Sequence, residues 1–208
     1  MTTRRVLGIC GALLTALQLS TASISAQTPT LITIYDFPQF KETGSGPQGP
    51  LAIGSGGTLY GITDGGGTVL DGTVFSLTPP ASAGAAWSET VLHNFVPFPE
   101  SRDGFNPWNG VAIGSGGALY GTTVNGGSSD YGTVFSLTPP SAPGSSWTET
   151  LLYNFKGGDG FRPYASVVIG KGGELYGTTV AGGSRRERLS TNRKWVIGRG
   201  PFMLSRAH

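Results

Sequence analysis

The 208-residue chain holds 35 Gly and 14 Pro, and only 12% of its residues are charged. So much Gly and Pro excludes a coiled coil or a helix bundle, and a hydrophobic content of 38% excludes a disordered chain, because enough apolar surface exists to offset the entropy of ordering. The formal net charge of +2 conceals two opposed parts: Gln27–Ser184 carries 5 Lys plus Arg against 11 Asp plus Glu, whereas Arg185–His208 carries 7 basic residues and 1 acidic.

In chain order, Arg4 and Arg5 precede an apolar run from Val6 to Leu19, and small residues follow at Ser23–Ala26, the layout of a secretory signal peptide over residues 1–26. The run has 14 residues where a membrane span needs roughly 20, so cleavage after Ala26 and a mature chain without a transmembrane span are expected. The expected location is secreted or at the cell surface. Cys10, the sole cysteine, lies in this leader, which removes disulfides, CxxC redox chemistry and Cys-ligated zinc from the mature chain.

Residues 27–184 are dominated by an internal repeat. Leu51–Thr63 (LAIGSGGTLYGIT), Val111–Thr123 (VAIGSGGALYGTT) and Val167–Thr179 (VVIGKGGELYGTT) are three copies of one piece, spaced by 60 and then 56 residues. GTVFSLTPP stands at Gly72–Pro80 and again at Gly132–Pro140, and Trp87–Phe95 (WSETVLHNF) returns as Trp147–Phe155 (WTETLLYNF), with Leu31–Phe37 (LITIYDF) a weaker first copy. The units run over about 31–86, 87–146 and 147–184.

Each unit divides into four predicted strands. The Trp-led segment comes first, and strict alternation over Glu149–Phe155 places Glu149, Leu151, Tyr153 and Phe155 on one face and Thr150, Leu152 and Asn154 on the other. Apolar groups on both faces call for both to be covered. Ser166–Ile169 is the second strand, joined through a Gly-rich turn to the third, Glu174–Thr179, as a hairpin. Thr133–Leu137 is the fourth, ended by Pro139-Pro140, which cannot donate to a ladder. Four short strands covered on both faces predict an all-β fold of tandem four-stranded antiparallel blades, a partial β-propeller; the rival is a β-sandwich, which predicts cleaner alternation.

GGxLYGTT, GTVFSLTPP and WxETxLYNF, recurring in that order over residues 31–184, resemble the GloVer tandem-repeat family of exported bacterial proteins. The resemblance implies an exported, repeat-built protein, often with one of several alternative C-terminal anchors and without an established activity. No C-terminal apolar segment matches such an anchor here.

After Ser184 the repeat predicts a Gly-Thr-Val-Phe strand, but the chain reads RRERLSTNRKW. The basic segment 185–208 is expected to be disordered or out of frame, the product of a frameshift in a longer repeat gene, to be checked by sequencing the locus. An incomplete set of strands leaves an exposed edge, a template for self-association. Nucleic acid is not an expected partner, since the tail has no recognisable nucleic-acid fold and export removes the chain from it.

For chemistry the chain offers two histidines, His93 and His208. His93 stands where Tyr35 and Tyr153 stand in the other copies and reads as a strand side chain. No Ser-His-Asp triad, His cluster for zinc or other cofactor set is recognisable. Repeated GSGG lacks the Lys-Ser/Thr ending and following helix of a phosphate loop and is a turn. Glu89 and Glu149 recur before the apolar strand and read as solvated strand ends or cross-strand partners. The candidate ligand site is the loop Arg102-Asp103-Gly104-Phe105-Asn106-Pro107-Trp108 with its counterpart Asp159-Gly160-Phe161-Arg162-Pro163-Tyr164. Carboxylates of Asp103 and Asp159, the cations Arg102 and Arg162, and the rings of Trp108 and Tyr164 are the mixture that binds sugar hydroxyls and sugar faces. The bland reading of the same residues is an Asp-Gly turn closed by Pro. The function expected is an extracellular binding or structural module with a glycan or protein ligand. A propeller-type carbohydrate-active enzyme and a non-functional fragment of a longer repeat protein are the alternatives.

Overall fold

The computed structural model describes residues 30–38, 42–96, 103–142 and 144–182, together with the backbone of 195–198. The leader, and all of the tail except that last strand, lie outside the described residues. The chain divides into two compact units. Of the first, Met1–Ile32, residues 30–32 are described and are exposed irregular chain; the second, Thr33–His208, holds every strand below.

Regular structure among the described residues is β apart from two short 3-10 turns, Ser55–Gly57 and Ser115–Gly117. No helix among them is long and apolar enough to cross a membrane. The first sheet is an antiparallel meander of β1 (Gly44–Ile53), β2 (Leu59–Gly66), β3 (Thr73–Thr78) and β4 (Ser88–Asn94). In the second copy the long first hairpin is split. β5 (Gly104–Phe105) pairs with β8 (Asn125–Gly126), while β6 (Ala112–Ile113), β7 (Leu119–Thr123), β9 (Thr133–Thr138) and β10 (Thr148–Asn154) form the second sheet. The third sheet pairs β11 (Val168–Ile169) with β12 (Leu175–Thr178), and β13 (Trp195–Gly198) joins β12 in parallel, where the repeat would supply an antiparallel strand.

The sheets and the sequence units are out of phase by one strand. The Trp-led segment, read from sequence as the first strand of its unit, pairs with the GTVFSLT strand before it and closes the preceding copy's sheet, as β4 does on β3 and β10 on β9. Pro79-Pro80 and Pro139-Pro140 end β3 and β9, and the chain then turns back through Gly84 and Gly144 to start the closing strand.

Strict alternation along that closing strand is also corrected. A bulge interrupts the ladder between Leu151 and Tyr153, which oppose Phe135 and Val134, leaving Leu152 as the extra residue; the same irregularity places Leu92 between Val91 and His93. Directly opposed residues share a face. Glu149, opposite Leu137, and Leu151, opposite Phe135, therefore lie on one face, whereas Tyr153, opposite Val134, is carried to the other.

That switch fits a stack in which consecutive sheets meet by unlike faces. One core contains Ile62, Val74 and Phe95 from the first copy with Leu119, Phe135 and Leu137 of the second sheet. The other joins Tyr120, Val134 and Phe155 of the second sheet to Val167 and Leu175 of the third. Phe95 meets Phe135 edge-on at 5.2 Å, and Phe37 meets Phe75 the same way at 4.8 Å. The Thr residues of YGTT and GTVF act in pairs. Thr123 and Thr133 Oγ1 lie 2.8 Å apart and are buried, as are those of Thr63 and Thr73. Each pair ties two strands where neither hydroxyl reaches water.

Gly121 opposes Phe135, whose ring lies across it, so a Cβ at Gly121 would sit 2.5 Å from Phe135 Cζ. Phe135 is fully buried among the core residues. Gly121→Ala is expected to cost about 1–3 kcal/mol through overpacking. Thermal unfolding followed by circular dichroism measures it; an unchanged midpoint would mean that the ring yields freely.

Candidate functional site

The bulged strand sends Glu149 towards the preceding sheet and His93 towards the following one, and the two meet between the first and second sheets. His93 Nε2 lies 2.9 Å from Asp103 Oδ2 and 3.9 Å from Glu149 Oε2. One ligand-type atom from each of the three residues falls within 4.8 Å of the others. Asp103 is 5% exposed, and its Oδ1 accepts the Gly104 backbone N–H at 2.7 Å. Glu149 is not the solvated strand end its sequence position implies: its side chain is 16% exposed and Oε1 is buried without a hydrogen-bond partner. Burial first, then the hydrogen-bonded Asp103 carboxylate beside it, pushes the Glu149 carboxyl up to about 9.

The same position recurs with other residues. Tyr35 donates its phenolic proton to Glu89 Oε2 at 2.7 Å, the counterpart of His93 facing Glu149. Thr43 occupies the place of Asp103, because Gly44 pairs with Gly66 as Gly104 pairs with Gly126, and its hydroxyl is buried without a partner. In the third copy Tyr153 donates to Asp159 Oδ2, whose other oxygen accepts the Lys156 N–H at 2.8 Å. One architectural position thus holds Tyr, Thr and Glu at one junction and His, Asp and Glu at the next.

Sequence reasoning missed this cluster because its members come from different repeats and meet only when sheets stack. The available signal was His93 standing in a Tyr position. By contrast, two residues of the loop set do come together. Trp108 and Tyr164, 45% and 36% exposed, meet edge to face with ring centres 5.7 Å apart. Asn109 fixes the pair: its Nδ2 donates to Tyr164 O at 3.0 Å and its Oδ1 accepts from Ser166 Oγ at 2.8 Å. Asp103 and Asp159 are buried and hydrogen-bonded, Asp103 to His93 and the Gly104 N–H, Asp159 to Tyr153 and the Lys156 N–H. Arg102 lies outside the described residues. Arg162 is exposed and holds a left-handed backbone, φ 54°, as Asn106 does at φ 52°. Each turns its N–H to the preceding copy, Arg162 to Tyr131 O at 2.9 Å and Asn106 to Asp71 O at 3.1 Å.

A groove of about 700 Å³ lies elsewhere, between the equivalent Gly-rich turns of the second and third sheets, lined by Tyr120, Ile169 and Lys171 among others. None of the loop candidates and none of His93, Asp103 and Glu149 lines it.

Residues 86–188 match the Gloeobacter/Verrucomicrobia repeat family, the family that the recurring motifs resemble. No curated protein and no solved structure matches the chain.

Two measurements test these local assignments. The Tyr35 phenol is pushed up to about 12, chiefly by its hydrogen bond to Glu89, then by burial and the Glu89 charge. A folded-state value above the unfolded one means that the stabilisation is complete below about pH 10 and is lost as pH rises towards 12. Chemical denaturation of wild type and Tyr35→Phe is expected to show a stability difference that shrinks over that interval; a constant difference would contradict the pairing. Arg162→Asn is expected to stabilise by about 1 kcal/mol, since Asn tolerates the left-handed backbone that costs other side chains; a lower melting point would contradict it.

Proposed function

Taking the chain as a member of the Gloeobacter/Verrucomicrobia repeat family on the match of residues 86–188, we propose that it is an exported binding module whose ligand is an extracellular glycan. Residues 1–26, with their basic start, apolar run and small-residue end, support export. Successive meanders covered on both faces support reading the sheets as blades of a partial β-propeller.

The observation that carries the ligand reading is the Trp108–Tyr164 pair. Equivalent positions of consecutive repeats present two large rings to solvent at 5.7 Å, although either could have been buried. Ring faces stack on the apolar faces of sugars, and Asn109 ties together the backbone of the two loops that carry them. Asp103 and Asp159 accept backbone N–H groups in the turns that precede the rings.

Affinity electrophoresis against a panel of soluble polysaccharides tests this. At least one glycan is expected to retard the protein without new reducing ends, and Trp108→Ala and Tyr164→Ala are each expected to weaken binding about tenfold or more, the loss of about 1.4 kcal/mol per decade. Retardation that persists in both variants, or no retardation by any glycan, would dismiss the reading.

A further inference from the structure

We propose that His93, Asp103 and Glu149 form a binding site for a divalent transition-metal cation of the zinc class, which clamps the first sheet to the second. His93 comes from β4, Asp103 from the turn before β5, and Glu149 from β10, so the three span consecutive copies. Their ligand atoms lie within 4.8 Å of one another, with His93 Nε2 at 2.9 Å from Asp103 Oδ2 and 3.9 Å from Glu149 Oε2. A tetrahedral zinc with bonds of about 2.0–2.1 Å sets its ligands about 3.3 Å apart, between those two separations.

The chemistry of the donors narrows the cation. One imidazole and two carboxylates suit zinc and its neighbours, whereas calcium takes six to eight oxygens and magnesium a near-octahedral oxygen set. A cation held between two carboxylates this close would offset the cost of keeping both charges out of water. Glu149 Oε1 is buried with no hydrogen-bond partner, leaving an acceptor on the same carboxyl for the cation or for a bound water.

The other junction supplies an internal comparison. Glu89 Oε1 is orphaned in the same way, but there Tyr35 donates a hydrogen bond to Glu89 and Thr43 replaces the second carboxylate. That junction has one carboxyl group, a phenol that donates to it and, among the described residues, no nitrogen ligand. The nitrogen and the second carboxylate occur together at the junction of His93; the carboxylate recurs as Asp159 beside Tyr153, so His93 is the residue that departs from the repeat in the direction of metal binding.

The full chain, stripped with a chelator, is titrated with Zn²⁺ alone by calorimetry and melted with and without it. One equivalent per chain and a raised melting point are expected. His93→Tyr restores the residue of the sibling copies and so retains the fold; it is expected to weaken zinc binding at least about tenfold and to abolish the shift, with Glu149→Gln weakening binding likewise. Glu89→Gln and His208→Ala are expected to bind as wild type does. Co²⁺ in place of zinc is expected to give visible d–d absorption in wild type that His93→Tyr lacks. Equal zinc affinity in wild type and His93→Tyr, loss in Glu89→Gln matching that in Glu149→Gln, loss in His208→Ala, or a cobalt spectrum independent of His93 would each overturn the site.

Discussion

One extra residue in the closing strand of each sheet governs how the copies meet. Without the bulge at Leu92 and Leu152, Glu and His or Tyr four positions later would share a face, and each sheet would present both to the same neighbour. With it, the carboxylate points back and the ring points forward. Every junction then receives a donor from one copy and an acceptor from the next, and the apolar residues are divided in the same sense, Leu151 backward and Leu152 with Tyr153 forward. The bulge converts a repeated sequence into a directional stack.

Head-to-tail contact explains why the motifs are so regular. Phe75 and Phe135 must lie over Gly61 and Gly121 and also receive Phe37 and Phe95 from the preceding copy, so Gly, Phe and Phe are fixed together by one packing arrangement. The Thr–Thr pairs and the Asn residues after the bulge serve the same end within a copy. Asn94 and Asn154 accept the Thr68 and Ser128 N–H groups and close the Gly-rich loops onto the sheet. The position of His93 and Tyr153, whose rings pack edge-on against Phe95 and Phe155, is where copies differ in chemistry.

Much of this architecture is legible in the sequence and part is not, for identifiable reasons. The four strands per copy can be read because β-branched and aromatic runs are separated by Gly-rich turns, and the GSGG turns take the positive φ their glycines permit, 65° and 78° at Gly56 and Gly57. The phase of the sheets cannot, because a Trp-led strand is equally fit to open one sheet or to close another; only pairing with β3 or β9 decides. Nor is the bulge visible, since Leu152 is apolar and suits either face. Among site residues, Trp108 and Tyr164 are readable as large rings following Pro in equivalent loops. His93, Asp103 and Glu149 are not, because their proximity is created by stacking and each has an ordinary local role.

The unlike front and back of each sheet also bear on how such a gene can change length. A copy gained or lost by recombination between homologous stretches arrives with a back that fits its predecessor and a front that fits its successor. Expansion or contraction of the array then preserves every seam, and divergence can proceed seam by seam, one altered pair of residues at a time, without renegotiating the rest.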